Sequence, residues 1–211
     1  MHRTAAIAAV IVIVAGLAAG AWFAFGPGSE DPLKACRTTQ IAGAFDTIGG
    51  PFELVDETGA TVTDKQVIDR PALIYFGYTY CPDVCPLHAS RNAEAVDMLA
   101  EKGIALRPVF ISVDPERDTP QIMADYTANL HPEMLGLTGS RAQVDAAMKA
   151  YGAYAAAAGE GEDYLVNHTV YSYLMHPEMG LLDVYGGNAT AEDIVKSVTC
   201  FAEVIEDWPK N

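Results

Sequence analysis

An apolar run that ends at two cysteines constrains this chain more than any other feature. In "ALIYFGYTYCPDVCPLHAS" the segment 72–78 is short, apolar and rich in β-favouring residues. It reads as a central strand buried on both faces. Cys81 and Cys85 follow. Ala95, Met98 and Leu99 then recur at helical spacing, which predicts a helix over 86–102 with Gly103 as its C-cap. Residues four apart on a helix lie one turn apart on the same face. Two sulfurs so placed can form a redox couple, half of a metal site or a structural clip.

The rest of the chain supplies the frame. Segment 52–64, "FELVDETGATVTD", reads as two short strands around a turn at Glu57-Thr58-Gly59. A second buried strand is expected over 106–113, with Pro108 arguing for an irregular or edge start. Thr119 before Pro120 is an N-cap with proline at the first helical position, and that helix should reach Leu130. Another helix is expected over 141–151, followed by an acidic loop or insertion, "AAAAGEGEDY". Segments 169–175 and 181–185 suggest a hairpin around "HPEMG", and the last helix should cover about 191–205. Strands alternating with helices, then a hairpin and a final helix, indicate an α/β domain with a mixed sheet. A dithiol between the first central strand and its helix is the thioredoxin-like arrangement.

The chain of 211 residues is long enough for one well-formed core. Its 13 Lys and Arg stand against 28 Asp and Glu, a formal net charge of −15. Such a surface repels nucleic acid and argues against it as a partner. Residues 4–28 carry no charge, and 5–25 are apolar almost throughout, long enough to cross a bilayer as a helix. "AAGA" could serve as a signal-peptide cleavage site, but the length of the apolar stretch favours an uncleaved anchor. Arg3 is the one charge before it, which leaves the N-terminus in the cytoplasm. Residues 1–28 are thus read as a membrane anchor and start of a linker, 29–50 as linker and membrane-proximal segment, and 51–211 as the folded domain.

Two thiolates make an incomplete metal site, and soft sulfur ligands select Cu(I) or Zn(II). A helix N-terminus favours thiolate, the form that binds metal and attacks disulfides. A third ligand is therefore sought among the histidines. His2 lies across the membrane from the dithiol. His88, one turn beyond Cys85, is expected to face solvent. His131 and His176 precede prolines and are expected at the surface. His168, before a predicted strand, is left; in a thioredoxin-like sheet that loop approaches the start of the first helix. A lone histidine of this kind is more often structural, and only its place beside the dithiol favours a ligand. The methionines Met123, Met134, Met148, Met175 and Met179 show no Met-x-x-Met clustering and read as core or surface.

Three segments, "YFGYTYCPDVCP", "VFISVDPERDTP" and "DYLVNHTVYSYLM", resemble the signature segments of the Sco/SenC family, in its order and spacing, over about 52–204. The resemblance implies a membrane-anchored, thioredoxin-like copper chaperone for the binuclear copper site of cytochrome c oxidase. It places the metal ligands on Cys81, Cys85 and His168 and makes Asp114 a candidate auxiliary ligand, although a turn-capping role for Asp114 is favoured. The implied cargo is Cu(I), with Cu(II) as an additional state. Implied partners are the copper-site subunit of the oxidase, a copper-donor chaperone and a thioredoxin-like reductant. Cys36 and Cys200 fall outside the family's metal positions. Cys200 lies off the apolar stripe of the last helix, and a disulfide between the two is expected. The expected location is the bacterial inner membrane with the domain in the periplasm; the alternative is the mitochondrial inner membrane facing the intermembrane space.

A competing reading uses the same residues. It is a thiol-disulfide reductase, with Cys81 and Cys85 as the redox pair, that keeps the oxidase copper-site cysteines reduced. A pure dithiol exchanger has no use for His168. A peroxidase-like thiol enzyme would need an isolated activated cysteine, which the doubled cysteine does not suggest.

Overall fold

A computed structural model describes residues 15–17, 20, 31–39, 47–159, 161 and 163–210. The chain divides into two units, Met1–Lys34 and Ala35–Asn211. Among the described residues no helix is long and apolar enough to cross a membrane. The anchor expected over 5–25 lies almost wholly outside the described residues.

Within the second unit, β1 (Glu53–Asp56) and β2 (Thr61–Thr63) form the expected antiparallel hairpin. Asp56 closes the turn by accepting from the Thr58 and Ala60 N–H groups. A one-turn helix α1 (Asp64–Val67), not anticipated, follows behind a Thr63–Gln66 capping box. Then come β3 (Ala72–Gly77), α2 (Val84–Ala100), β4 (Arg107–Ser112), α3 (Pro120–Leu130), β5 (Leu135–Thr138) and α4 (Arg141–Ala150). The chain closes with β6 (Ala155–Ala158), β7 (Leu165–His168), β8 (Ser172–His176), β9 (Gly180–Tyr185) and α5 (Ala191–Val204).

Seven strands form one sheet in the order β2-β1-β5-β4-β3-β8-β9. The β3–β4 and β4–β5 pairs are parallel, while β3–β8, β8–β9 and β1–β5 are antiparallel. This mixed sheet with its helices is the thioredoxin-like α/β fold. Every residue of β3 is buried, as a strand covered on both faces requires. β4 is interior, so Pro108 does not mark an edge. Pairing to β5 starts only at Val109, and Pro108 sits before that ladder, where its missing N–H costs nothing on that side. α2 packs on α5, and α3 on β5.

Two departures from expectation matter. β5, "LGLT", is too short to show alternation, yet it joins β4 to β1 in the sheet. The acidic stretch 155–164, expected as a loop, opens with β6, which pairs with the β7 strand that follows it in a separate two-stranded sheet where Ala155 faces His168.

A disulfide joins Cys36 to Cys200 across 164 residues of sequence, with the Cα atoms 5.4 Å apart. The segment after Cys36 lies along β9. Arg37 Nε donates to the Leu182 carbonyl at 3.0 Å, Thr38 N–H to buried Asp183 at 2.7 Å, and the Thr39 hydroxyl to the Val184 carbonyl at 2.6 Å.

Candidate metal centre

β3 ends in Gly77, and the chain turns through Tyr78-Thr79-Tyr80 into the dithiol. Gly77 has no room for a side chain. A Cβ there would stand 2.8 Å from the Phe110 ring, 2.9 Å from the Tyr75 ring and 3.1 Å from the Cys85 sulfur. The turn is pinned from below, because buried Asp118 accepts from the Thr79 hydroxyl at 2.6 Å and from Ser112 at 2.6 Å.

At the start of α2 the N-cap position, Asp83, makes no side-chain capping bond. The Cys81 sulfur takes that role and accepts from the Cys85 N–H at 3.4 Å. Burial opposes charge on Cys81. The N–H groups of Asp83 and Cys85, the Cys85 thiol and the Tyr78 hydroxyl outweigh it, and the Cys81 pKa falls below the usual thiol value. Cys85 behaves oppositely: burial and the adjacent Cys81 push its thiol well up. The two sulfurs remain unbonded and both are buried.

The third member arrives from the side sheet. His168 Nε2 lies 3.1 Å from the Cys85 sulfur. Its other nitrogen, Nδ1, lies 2.8 Å from the Thr169 carbonyl, which can only accept. Nδ1 therefore carries the proton, and Nε2 turns a bare lone pair toward the sulfurs. Burial lowers the His168 pKa, against the pull of backbone contacts at Thr169 and Phe76, and keeps the ring neutral. The rings of Tyr75 and Tyr78 stand edge-on to it at 6.1 and 5.7 Å. Cys81, Cys85 and His168 form a group whose ligand atoms all lie within 4.8 Å of one another. Two sulfurs and one imidazole nitrogen are the donors of a soft, low-coordinate cation.

Asp114, the auxiliary candidate, lies outside that group. Its carboxylate accepts from Arg117 Nε at 2.5 Å and from the Tyr164 hydroxyl at 2.5 Å. The other histidines depart from the sequence reading. His88, expected in solvent, is buried, with Nδ1 3.2 Å from the Tyr75 hydroxyl. His131 and His176, expected at the surface, are also buried. Asp97 partners His131 at 3.1 Å, and Trp208 packs against His176 at 5.8 Å between ring centres. Of the methionines, Met123, Met134, Met148 and Met175 are buried and Met179 is exposed. Sequence reasoning also missed Tyr75 and Tyr78, which flank the centre, and Tyr164, which holds Asp114. In β3 Tyr75 passes as a core aromatic, and nothing local marks its hydroxyl as special.

The family profile described as SCO1/SenC matches residues 42–203. Protein SenC of Rhodobacter capsulatus is 48% identical over 207 residues, covering 97% of this chain and 92% of that protein. The mitochondrial SCO1 homolog of Homo sapiens is 41% identical over 155 residues, 72% of this chain and 52% of its own length, so this chain spans about half of that relative. Among solved structures, Arabidopsis thaliana ScoI with copper bound is 40% identical and superposes with a TM-score of 0.71, covering 74% of this chain and 99% of that one. The match over 42–203 and the near full-length likeness to SenC show that this chain belongs to the SCO1/SenC family.

Proposed function

We propose that the protein is a membrane-tethered copper metallochaperone that holds Cu(I) on Cys81, Cys85 and His168 for the binuclear copper site of cytochrome c oxidase. The observation that carries this is the convergence of two sulfurs and a bare imidazole nitrogen within 4.8 Å. The copper-bound state of the Arabidopsis relative supports the choice of metal. Both thiols give up their protons as the ion binds, and Cys81, with its lowered pKa, does so the more readily. Three donors leave room for an incoming ligand, so the cargo can leave through intermediates that share sulfur. Cu(II) would add a further oxygen ligand from water. Oxidising the dithiol removes both sulfurs and couples loading to redox state.

The remaining assignments belong to this proposal. Residues 1–28 anchor the chain with its N-terminus in the cytoplasm, 29–50 link, and 51–211 carry the site in the bacterial periplasm. The SenC match over 97% of this chain supports the bacterial reading. The proposed partners are the oxidase copper subunit, a copper donor and a thioredoxin-like reductant.

Anaerobic Cu(I) titration of the full-length protein beside His168→Ala tests the site. The expected result is at least about a tenfold weaker Kd and loss of the imidazole signal in X-ray absorption. Equal affinity and equal spectra would remove His168 from the site. That outcome would favour the second reading, a thiol-disulfide reductase with Cys81 as attacking thiolate, for which the lowered Cys81 pKa is the specific support.

A further inference from the structure

We infer that Tyr164, Asp114, Arg117 and Tyr78 form a clasp that positions His168, gripping the β6–β7 hairpin so that the imidazole meets the dithiol. The inference rests on the metallochaperone reading and adds positioning residues to it. The hairpin shares no strand pairing with the seven-stranded sheet. Besides the short connection from His168 into β8, what aims the imidazole is contact between the hairpin and the main body.

Those contacts follow the strand period. Side chains alternate along a strand, so Tyr164, Val166 and His168 share one face at and just before β7. Each touches the body. The Tyr164 hydroxyl donates to Asp114 Oδ1 at 2.5 Å. Arg117 Nε donates to Asp114 Oδ2 at 2.5 Å, and its guanidinium stands 3.7 Å from the centre of the Tyr164 ring. Tyr164 is held at its hydroxyl by an anion and at its face by a cation. Asp114 is itself seated: its side chain is 2% exposed, and its N–H donates to the buried Ser112 hydroxyl at 3.0 Å. One step along, the Val166 N–H donates to the Tyr78 hydroxyl at 3.1 Å, and the Tyr78 ring meets His168 edge-on. Tyr78 in turn accepts the Cys81 N–H on its carbonyl at 3.3 Å. One residue thus registers the hairpin against the dithiol turn. Both oxygens of Asp114 are committed to this clasp, so Asp114 acts through Tyr164 and not as a ligand.

The test is anaerobic competitive Cu(I) titration of the full-length protein in detergent, with X-ray absorption of each loaded form. The variants are Tyr164→Phe, Asp114→Asn, Tyr78→Phe, His168→Ala and the doubles Y164F/H168A and Y164F/D114N. Tyr164→Phe keeps the half-exposed ring under Arg117 and removes one hydroxyl, so the fold is retained. Partners that orient a metal-ligating histidine change affinity by about 10–100-fold when removed. Tyr164→Phe is expected to weaken binding about tenfold and reduce the imidazole signal. In the His168→Ala background it should cost nothing more, and Y164F/D114N should be no weaker than Asp114→Asn alone. Wild-type affinity and spectrum in both Tyr164→Phe and Tyr78→Phe, with His168→Ala weakened, would overturn the clasp and leave the metal reading intact. A Tyr164→Phe loss that persists without His168, or an Asp114→Asn loss undiminished in the Tyr164→Phe background, would also overturn it. If His168→Ala binds like wild type, the metal reading itself fails.

Discussion

At the scale of single residues, Gly77 illustrates how closely the core is fitted around the dithiol. Gly77→Ala places a methyl group within 3.1 Å of three side-chain atoms, one of them the Cys85 sulfur. Overpacking of this kind costs about 1–3 kcal/mol. Urea unfolding of the apo variant should show that loss, and an unchanged midpoint would mean that β3 and α2 separate more easily than the packing suggests. The sequence announces Cys81 and Cys85 by spacing, and the search for a third ligand reached His168. Burial of His88, His131 and His176 was not legible, because each depends on a partner distant in sequence. His131 needs Asp97, 34 residues away, and His88 needs Tyr75, 13 residues away.

Among the elements, those carrying a local mechanism were readable. α3 begins where Thr119 caps Ile122 and Pro120 supplies its fixed φ, and β3 is a single unbroken apolar run. The β6–β7 sheet was not readable. Ala155–Ala158 is four alanines with no polar alternation, and its partner strand emerges from an acidic stretch. Its strand character comes from pairing and from the clasp. Elsewhere, the Cys36–Cys200 disulfide ties the segment along β9 to α5, and the chain-entropy account predicts a sizeable effect for so long a loop. Cys36→Ser with Cys200→Ser should lower stability by about 2–4 kcal/mol in denaturant unfolding of the apo protein. A loss under about 0.5 kcal/mol would show that Asp183 and the β9 contacts suffice to hold the segment.

For the molecule as a whole, buried histidines make stability pH-dependent. Burial lowers the pKa of His88, assisted by Arg91, and burial lowers that of His176, both from an ordinary 6.5. The unfolded chain then binds more protons than the folded one as pH drops below that value. The stability from keeping these rings neutral is complete above pH 6.5 and is lost as pH falls through the lowered folded values. Asp118, raised by burial, contributes with the opposite sign, so the comparison needs a variant. The urea midpoint should fall between about pH 7 and about pH 5.5, and His88→Gln should flatten that fall. Equal slopes in both proteins would exclude His88 as a contributor.

The bond between Cys36 and Cys200 has one more consequence. It closes a covalent ring that runs from Cys36 to Cys200, nearly all of the second unit, with Cys81, Cys85 and His168 inside it. A protease that cuts once anywhere within that ring yields two fragments still joined through sulfur. A nicked molecule therefore keeps Cys81, Cys85 and His168 on one covalent body, and becomes two separate peptides only after that bond is reduced.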